Sequence, residues 1–342
     1  MTDPDLAPAR RITVKDVARA AGVSPATVSN ALSGKRHVDA ETRRRIEMAV
    51  RDLGYIPNLA ARRMRTGRAG AIALFSSMPV SVAAGASKLG FLMEIAASAA
   101  VTALELNTAL VLVPPIDDPV RALDTISVDG ALVVEPERDD PVLAQLNRRG
   151  IPCVCIGRAP DRELPCVDLD YEGVATLLFR HLRECGARRF PLVIGTDARA
   201  SHEAFREVYA RCAADVGMRP VVLEVSEIDA EQGAARVLSE AFAAGAGFDG
   251  VLVPIDAMAT GVMRALREAG LSVPGDVRVV TRYDGLRARS EVPALTAVNL
   301  HLDTVAEIAT RALARQIDGE TLDARIRAPA PGLLVRGSSR VG

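Results

Sequence analysis

Between residues 13 and 53 the apolar positions recur every three or four residues in short runs, which predicts a series of helices. The first run starts at Thr13, which opens an S/T-x-x-D/E capping pattern, and ends at Gly22, whose missing Cβ suits a left-handed helix end. Ser24 is placed to cap the second helix, with Pro25 in its first turn. Two short helices joined by such a tight turn predict a helix-turn-helix.

The second predicted helix has two different faces. Its apolar stripe is Val28, Ala31 and Leu32, and its outward residues are Pro25, Ala26, Ser29 and Asn30. A third helix is predicted from a cap at Asp39 to the glycine at position 54. An ordinary helical hairpin on a domain surface is the alternative interpretation of this pattern.

After Gly70 the pattern changes to continuous apolar runs that alternate with amphipathic stretches. The runs are AIALF, TALVLV, GALVVE, PCVCIG, PLVIG, VVLEV, GVLVPI and VRVVT. Val/Ile/Leu-rich strands separated by helices predict parallel sheets that are covered on both faces. About 270 residues are too many for one small core, so two similar α/β lobes are expected.

Charge distinguishes the same two regions. Residues 1–68 contain 14 Lys and Arg against 7 Asp and Glu, a net charge of +7, and the remaining 274 residues carry −8, although the whole chain is at −1. Neutralising DNA phosphates requires such a local basic excess. The charge distribution therefore favours nucleic-acid binding by the first region.

The composition indicates neither a membrane protein nor an exported one. No apolar span reaches 18 residues and the N-terminus MTDPDLAPARR is polar, so we expect no membrane span and no signal peptide. The five cysteines include no C-x-x-C pair, which fits a reducing cytoplasm. The four histidines lack metal-ligand spacing, so we predict no metal and no cofactor.

The sequence motifs also argue against an enzyme. A G-x-G-x-x-G occurs at Gly245, Gly247 and Gly250, but it follows a predicted helix and precedes a predicted strand. A dinucleotide site requires the opposite order, because the helix N-terminus must meet the pyrophosphate. No G-x-S-x-G, phosphate-binding loop or H-E-x-x-H is found.

Two segments carry a resemblance to a known family. The runs TVKDVARAAGVSPATVSNALSG and HVDAETRRRIEMAVRDLGYIPNLAARRMRTGRAGAIA, with a VSxxTVS core and a GYxPNxxAR segment, resemble the head of the LacI/GalR family of bacterial transcription regulators. Weaker resemblance continues to about residue 340. It implies a sequence-specific regulator, a repressor, that binds a pseudo-palindromic operator in double-stranded DNA as a homodimer. It also implies a small-molecule effector, sugar-like or another polar metabolite.

The resemblance implies a domain organisation. We expect an α/β protein with a small all-α helix-turn-helix DNA-binding head and hinge helix, joined to a two-lobed periplasmic-binding-protein-like body with parallel sheets. The expected boundaries are 1–57 for the head, 58–69 for the hinge helix and linker, and 70–342 for the effector-binding and dimerisation body. The N-lobe would comprise about 70–170 plus 300–320, and the C-lobe about 171–299 plus 321–342.

By resemblance, the DNA contacts of the head fall on ten positions. They are Thr13, Ser24, Pro25, Ala26, Thr27, Ser29, Asn30, His37, Thr42 and Tyr55. Asn30 is the strong hydrogen-bonding candidate for a base edge, since asparagine suits adenine N6 and N7. For Thr42 and Tyr55, capping and helix packing are the alternative interpretation.

The hinge carries three more implied DNA contacts. Asn58 can cap a short helix, and Arg62 is placed at the flanking phosphates. Met64 occupies the position of an apolar wedge in the minor groove, where the family usually has leucine.

The implied effector site lies between the lobes. Asp256, in IDAMATG, matches the acidic residue of the family motif N-D-x-M-A-x-G, with Ile255 in place of asparagine. Phe205 falls where the family has an arginine that holds the ligand, and Arg206 is its neighbour. The complete predicted set is Asp256, Asp284, Arg282, Phe205 and Phe91. A capping role for Asp256 at the following helix is the alternative, and an α/β enzyme or a solute-binding protein with a helical appendage is the alternative for the whole chain.

Overall fold

The computed structural model describes residues 12–33, 37–55, 67–79, 82, 90–114, 116 and 118–340. The chain divides into two compact units, Met1–Arg68 and Ala69–Gly342, which are called the head and the body below. The predicted hinge contacts Asn58, Arg62 and Met64 lie outside the described residues.

The head contains the predicted helix-turn-helix. Its helices are α1 (Val14–Ala21), α2 (Pro25–Ser33) and α3 (Ala40–Asp52). The Thr13 hydroxyl and N–H both donate to the Asp16 carboxylate, at 2.7 and 2.9 Å, which confirms the predicted cap. Gly22 has φ 64° and allows Val23 N–H to reach the carbonyl of Ala18 at 3.0 Å. These local signals produce the tight turn.

The prediction for the apolar face of α2 was partly wrong. Val28 is fully buried and Ala31 packs against the head core, but Leu32 is 42 % exposed. Leu32 lies at the rim of an open depression beside Val50 and Tyr55. The small helical core buries only the narrow stripe of α2 that meets α1 and α3, so the next apolar position stays accessible.

The body is built from strands and helices that mostly alternate along the chain. The strands are β1 (Ala71–Ser76), β2 (Ala109–Leu112), β3 (Gly130–Val134), β4 (Cys153–Ile156), β5 (Cys166–Asp168), β6 (Leu192–Gly195), β7 (Val222–Val225), β8 (Gly250–Leu252), β9 (Arg278–Val280), β10 (Ala297–Asn299), β11 (Arg325–Arg327) and β12 (Gly332–Leu334). The helices are α4 (Phe91–Glu105), α5 (Ala122–Thr125), α6 (Pro141–Arg148), α7 (Tyr171–Glu184), α8 (Ala200–Asp215), α9 (Ala230–Ala243), α10 (Asp256–Glu268), α11 (Leu286–Ser290) and α12 (Leu302–Ile317). A 3₁₀ turn at Pro119–Arg121 precedes α5.

Each lobe is organised around a parallel sheet. The first has the order β11-β5-β4-β3-β1-β2 and the second β7-β6-β8-β9, while β10 and β12 form an antiparallel pair. Every residue of β1, β3 and β4 is buried, which explains why these strands are continuous apolar runs. The two lobes and their parallel strands agree with the fold expected from the pattern.

The structure corrects the predicted C-terminal lobe boundary. We expected 321–342 in the C-lobe, but β11 pairs in parallel with β5 in the first sheet, with Arg325 opposite Cys166. Cys166 N–H donates to the carbonyl of Ala324 at 2.9 Å, and Arg325 forms an ion pair with Asp168. The segment RIR has no apolar periodicity, so only pairing with the free edge of β5 defines it as a strand.

Two other predictions can be compared with the body. Gly245 follows α9 in a left-handed conformation, and Gly250 opens β8, so the glycine motif has the predicted helix-to-strand order. Among the described residues, no helix combines the length and apolarity that crossing a bilayer requires.

Candidate functional site

The N-terminal half of α2 presents small side chains to solvent. Ser24 Oγ accepts the N–H of Thr27 at 3.1 Å and lies 2.8 Å from its hydroxyl, so these two residues cap the helix. Pro25 and Ala26 are exposed beside them, and Asn30 is half-buried one turn further along. This end of α2 can approach a DNA groove closely because its exposed side chains are small.

The remaining predicted head contacts also have structural roles. Thr42 N–H donates to Asp39 Oδ1 at 2.9 Å, and this hydrogen bond holds the pKa of Asp39 below its usual value. Tyr55 packs against the head core, and His37 is exposed. Capping and packing are therefore observed for Thr42 and Tyr55, and neither role prevents a contact with phosphate.

A small cavity of about 30 Å³ lies between the lobes. Its lining from the first lobe is Met78, Val82, Phe91 and Glu135, and from the second Arg199, Ser201, His202, Phe205, Glu227, Pro254, Ile255, Asp256, Arg282 and Tyr283. Many of these residues follow the carboxyl ends of parallel strands, for example Glu135 after β3 and Arg282 after β9. Ligands of open α/β sheets bind at such ends.

Four of the five predicted effector residues line this cavity. Asp284 is the exception, since its carboxylate forms ion pairs with Arg289 at 2.9 Å and Arg336 at 2.6 Å. The backbone at Asp284 has already turned toward β10, where Val298 accepts its N–H. Arg206 also lies outside the lining, because it donates to the Gly195 carbonyl and to Glu224.

Asp256 lies at the cavity, whereas the N-cap position of α10 belongs to Ile255. Asp256 is the first residue of α10, and its carboxylate accepts the N–H of Ala257 at 2.8 Å. The same side chain is buried in the cavity wall, and this burial raises its pKa. Asp256 is therefore not the N-cap of α10, and its carboxylate combines a hydrogen bond within the first turn with a position at the cavity.

Arg282 connects the aromatic and acidic parts of the wall. Its guanidinium lies 5.5 Å from the ring centre of Phe91 and 5.7 Å from that of Tyr171, within cation–π range. It also forms a 3.1 Å ion pair with Glu135. Tyr283 packs edge-on against Phe91 at 5.3 Å, so the cavity combines charge with flat apolar surface.

The sequence analysis missed Arg199, which is the N-cap residue of α8 and only 2 % exposed. Its Nε donates to Glu227 at 3.2 Å, and Nη1 donates to the Glu135 carbonyl at 2.6 Å. A single arginine in a strand-to-helix loop has no distinctive spacing. Glu135 and Glu227, which follow β3 and β7, could have been suspected from their positions after apolar runs.

His202 and Glu227 form a buried acid–base pair beside Arg199. His202 Nε2 lies 3.2 Å from Glu227 Oε1, and Nδ1 lies 3.0 Å from the Asp197 carbonyl. Burial lowers the pKa of His202 to about 3 and raises that of Glu227 to about 7. The imidazole is therefore neutral, with Nδ1–H placed to donate to Asp197.

Both the head and the body match families of known proteins. The model for bacterial regulatory proteins of the lacI family matches residues 13–58, and the periplasmic binding protein-like domain matches residues 179–339. The HTH-type transcriptional regulator AglR of Rhizobium meliloti (strain 1021) is 32 % identical over 284 residues, covering 80 % of this chain and 78 % of that protein.

Solved structures show the same architecture. The complex of transcriptional regulator CelR with cellobiose has a TM-score of 0.70 and 27 % identity, covering 96 % of this chain and 100 % of that one. The lac repressor dimer bound to operator and the anti-inducer ONPF has a TM-score of 0.78 at 22 % identity, over 97 % and 100 % of the two chains. The latter likeness concerns the fold.

A helix-turn-helix head and a two-lobed body with an interlobe cavity define a DNA-binding transcriptional regulator that responds to a small molecule. The chain belongs to the lacI family of bacterial regulatory proteins. Its relatives are regulators rather than enzymes.

Proposed function

We propose that the chain is a cytoplasmic repressor that binds a pseudo-palindromic operator as a homodimer and releases or tightens its hold when a sugar-like effector enters the interlobe cavity. The observation that carries the DNA-binding part is the exposed N-terminal end of α2 on a basic head. Recognition helices place this end against the base edges of the major groove.

In this proposal, α2 recognises DNA through two small apolar side chains and the amide of one asparagine. Pro25 and Ala26 can make only apolar contacts, such as those to a thymine methyl group. Asn30, one turn further along, supplies an amide that can pair with adenine N6 and N7. The capped, tight turn at Ser24 holds these residues on a rigid helix rather than on a loop.

Replacing Asn30 by alanine is expected to weaken binding to the best duplex selected from a random pool. The loss should be about 1–3 kcal/mol for each half-site and confined to one base pair. Competition between duplexes that differ at single positions measures it. As a control, replacing the exposed Arg44 by alanine should weaken all duplexes alike and reduce the salt dependence. If the Asn30 variant lost the same affinity on every DNA sequence, Asn30 would contact only the DNA backbone.

The chemistry of the cavity supports a neutral, polyhydroxylated effector. Among the described residues, Arg282 Nε has no hydrogen-bond partner, and Glu135 Oε1 has only its ion pair with Arg282, so the wall offers both a donor and an acceptor. A hydroxyl group can serve either one. The carboxylates of Glu135, Glu227 and Asp256 are nearly balanced by two arginines, which favours an uncharged ligand. CelR, whose structure contains cellobiose, is a relative that binds such a molecule.

An apolar surface on the first lobe supports dimerisation. Val101 and Leu104 on α4 are 60 % and 69 % exposed, and α4 packs beside the edge strand β2. Large apolar side chains that share an exposed helix face mark an interaction surface. A second copy can bury this face through two-fold symmetry, which matches a two-fold operator.

Replacing Leu104 by glutamate is expected to convert the dimer to monomers, because the charge would be buried against its symmetry mate. Sedimentation velocity at micromolar concentration measures the change, and operator affinity should fall because only one half-site is held at a time. Val216→Glu, at an exposed apolar position directly after α8, is the control and should remain dimeric. An unchanged sedimentation coefficient for the Leu104 variant would place the interface elsewhere.

A further inference from the structure

The Arg199 side chain extends from the second lobe into the first. Its Nη2 donates to the Ser77 carbonyl and to Glu137 Oε1, both at 2.8 Å, and its Nη1 donates to the Glu135 carbonyl at 2.6 Å. These three acceptors follow β1 and β3 of the first lobe. Arg199 Nε donates to Glu227 of the second lobe, so the guanidinium is hydrogen-bonded to both lobes.

The backbone closes the cleft at the same place. Arg138 N–H of the first lobe donates to the Ala198 carbonyl of the second at 3.0 Å, and Glu137 and Arg199 form an isolated antiparallel bridge. The amide of Arg138 is therefore a direct reporter of whether the lobes are together at this point.

The closed cleft leaves little enclosed space for a ligand. A cavity of about 30 Å³ accommodates water, whereas small-molecule sites are typically about 300–1,000 Å³. The lobes must separate, or the Arg199 side chain must leave, before a ligand of that size fits. Both routes break the same three hydrogen bonds from Arg199 to the first lobe.

We propose that Arg199 is an interlobe latch that the chain supplies itself, and that the effector must displace it to enter. The inference rests on the proposed effector site. In that site, Arg199 occupies acceptors that a hydroxylated ligand would otherwise use. The hydrogen bonds of the latch contribute to the free energy needed to open the lobes, and this cost lowers the apparent affinity for the effector. Variants that lack the latch open more readily and bind the effector more tightly.

Hydrogen exchange at the Arg138 amide tests the latch without DNA or effector. In the full-length Arg199→Met variant we expect exchange at least tenfold faster than in the parent, while the buried Leu132 amide of β3 keeps its protection. Arg206→Met is the matched control: this arginine lies in α8, whose N-cap is Arg199, and it donates to Gly195 and Glu224 of the second lobe, so the Arg138 amide should exchange at the parent rate. Parent-like exchange in the Arg199 variant would overturn the latch.

A second variant protects the test from misfolding. Arg199→Met leaves Glu227 buried without its cationic partner, and breaking a buried pair from one side is strongly destabilising. The double variant Arg199→Met/Glu227→Gln removes both charges. It should retain the Leu132 protection and still show the faster Arg138 exchange. Slow Arg138 exchange in the folded double variant would overturn the proposal.

Binding of neutral mono- and disaccharides, measured by calorimetry, supplies the second readout. For any sugar that binds the parent, the Arg199 variants should bind it at least tenfold more tightly. Weaker binding would make Arg199 a ligand-holding residue and overturn its role as a competitor. If no sugar binds, the proposed effector class fails, and the exchange measurement still decides the latch.

Discussion

A protein that begins at Arg68 is expected to lose sequence-specific DNA binding completely and to keep a folded body. The compact units divide between Arg68 and Ala69, and the head carries the basic excess. The Asp129 carboxylate accepts the N–H groups of Ala69 at 2.6 Å and Gly70 at 2.7 Å, so the start of β1 remains anchored. Affinity for the selected operator should fall by about 10³-fold or more, because an acidic body has no favourable field for phosphate.

Fluorescence anisotropy with a labelled operator measures this loss, and thermal unfolding of the truncated protein is the control. Its dimer should persist in sedimentation, since Val101 and Leu104 belong to the body. Operator binding retained by the truncated protein would contradict the assignment of DNA recognition to the head.

Replacing Asp256 by asparagine is expected to remove the stabilisation that a bound sugar provides. A ligand at a hundred times its Kd raises the free energy of unfolding by about 2.7 kcal/mol, and a carboxylate that binds hydroxyls contributes to that affinity. Asparagine keeps an oxygen that can accept the Ala257 N–H, so this hydrogen bond in the first turn of α10 survives. The asparagine variant therefore isolates the ligand role from the role of this hydrogen bond.

Melting temperatures with and without the sugar measure this effect for three variants. Asp256→Ala should lose the sugar response and also about 1 kcal/mol of intrinsic stability, because it removes the hydrogen bond to the Ala257 N–H. Asp303→Asn, an exposed aspartate in the first turn of α12, is the matched control and should keep the parent's response. An Asp256→Asn protein with a full melting shift would leave Asp256 with only its hydrogen bond in the first turn of α10.

Local signals were sufficient for the head. Thr13, Gly22 and Ser24 each act within a few residues of their own position, through hydrogen bonds to neighbouring backbone or a permitted left-handed φ. Helix boundaries that depend on such short-range interactions can be predicted from the sequence. The error at Leu32 has a different cause, since its exposure depends on how much surface two other helices cover.

The apolar runs were equally informative for the body, because strands buried on both faces admit few polar residues. They indicated eight strands of the two parallel sheets but missed β5 and β11, and also the pair β10 and β12. The missed strands lie outside the eight apolar runs, and they form because an open sheet edge or a partner strand is available.

The sequence by itself determined the helix-turn-helix and the alternation of strands and helices in the body, since both follow from interactions between residues close along the chain. Its resemblance to a known family indicated the class of protein. Only the tertiary structure decided the composition of the cavity. Arg199 meets Ser77 and Glu227 across 122 and 28 positions, and Asp284 is drawn from the cavity to Arg336. These contacts depend on how the two sheets of the body are brought together, and no local sequence pattern predicts that arrangement.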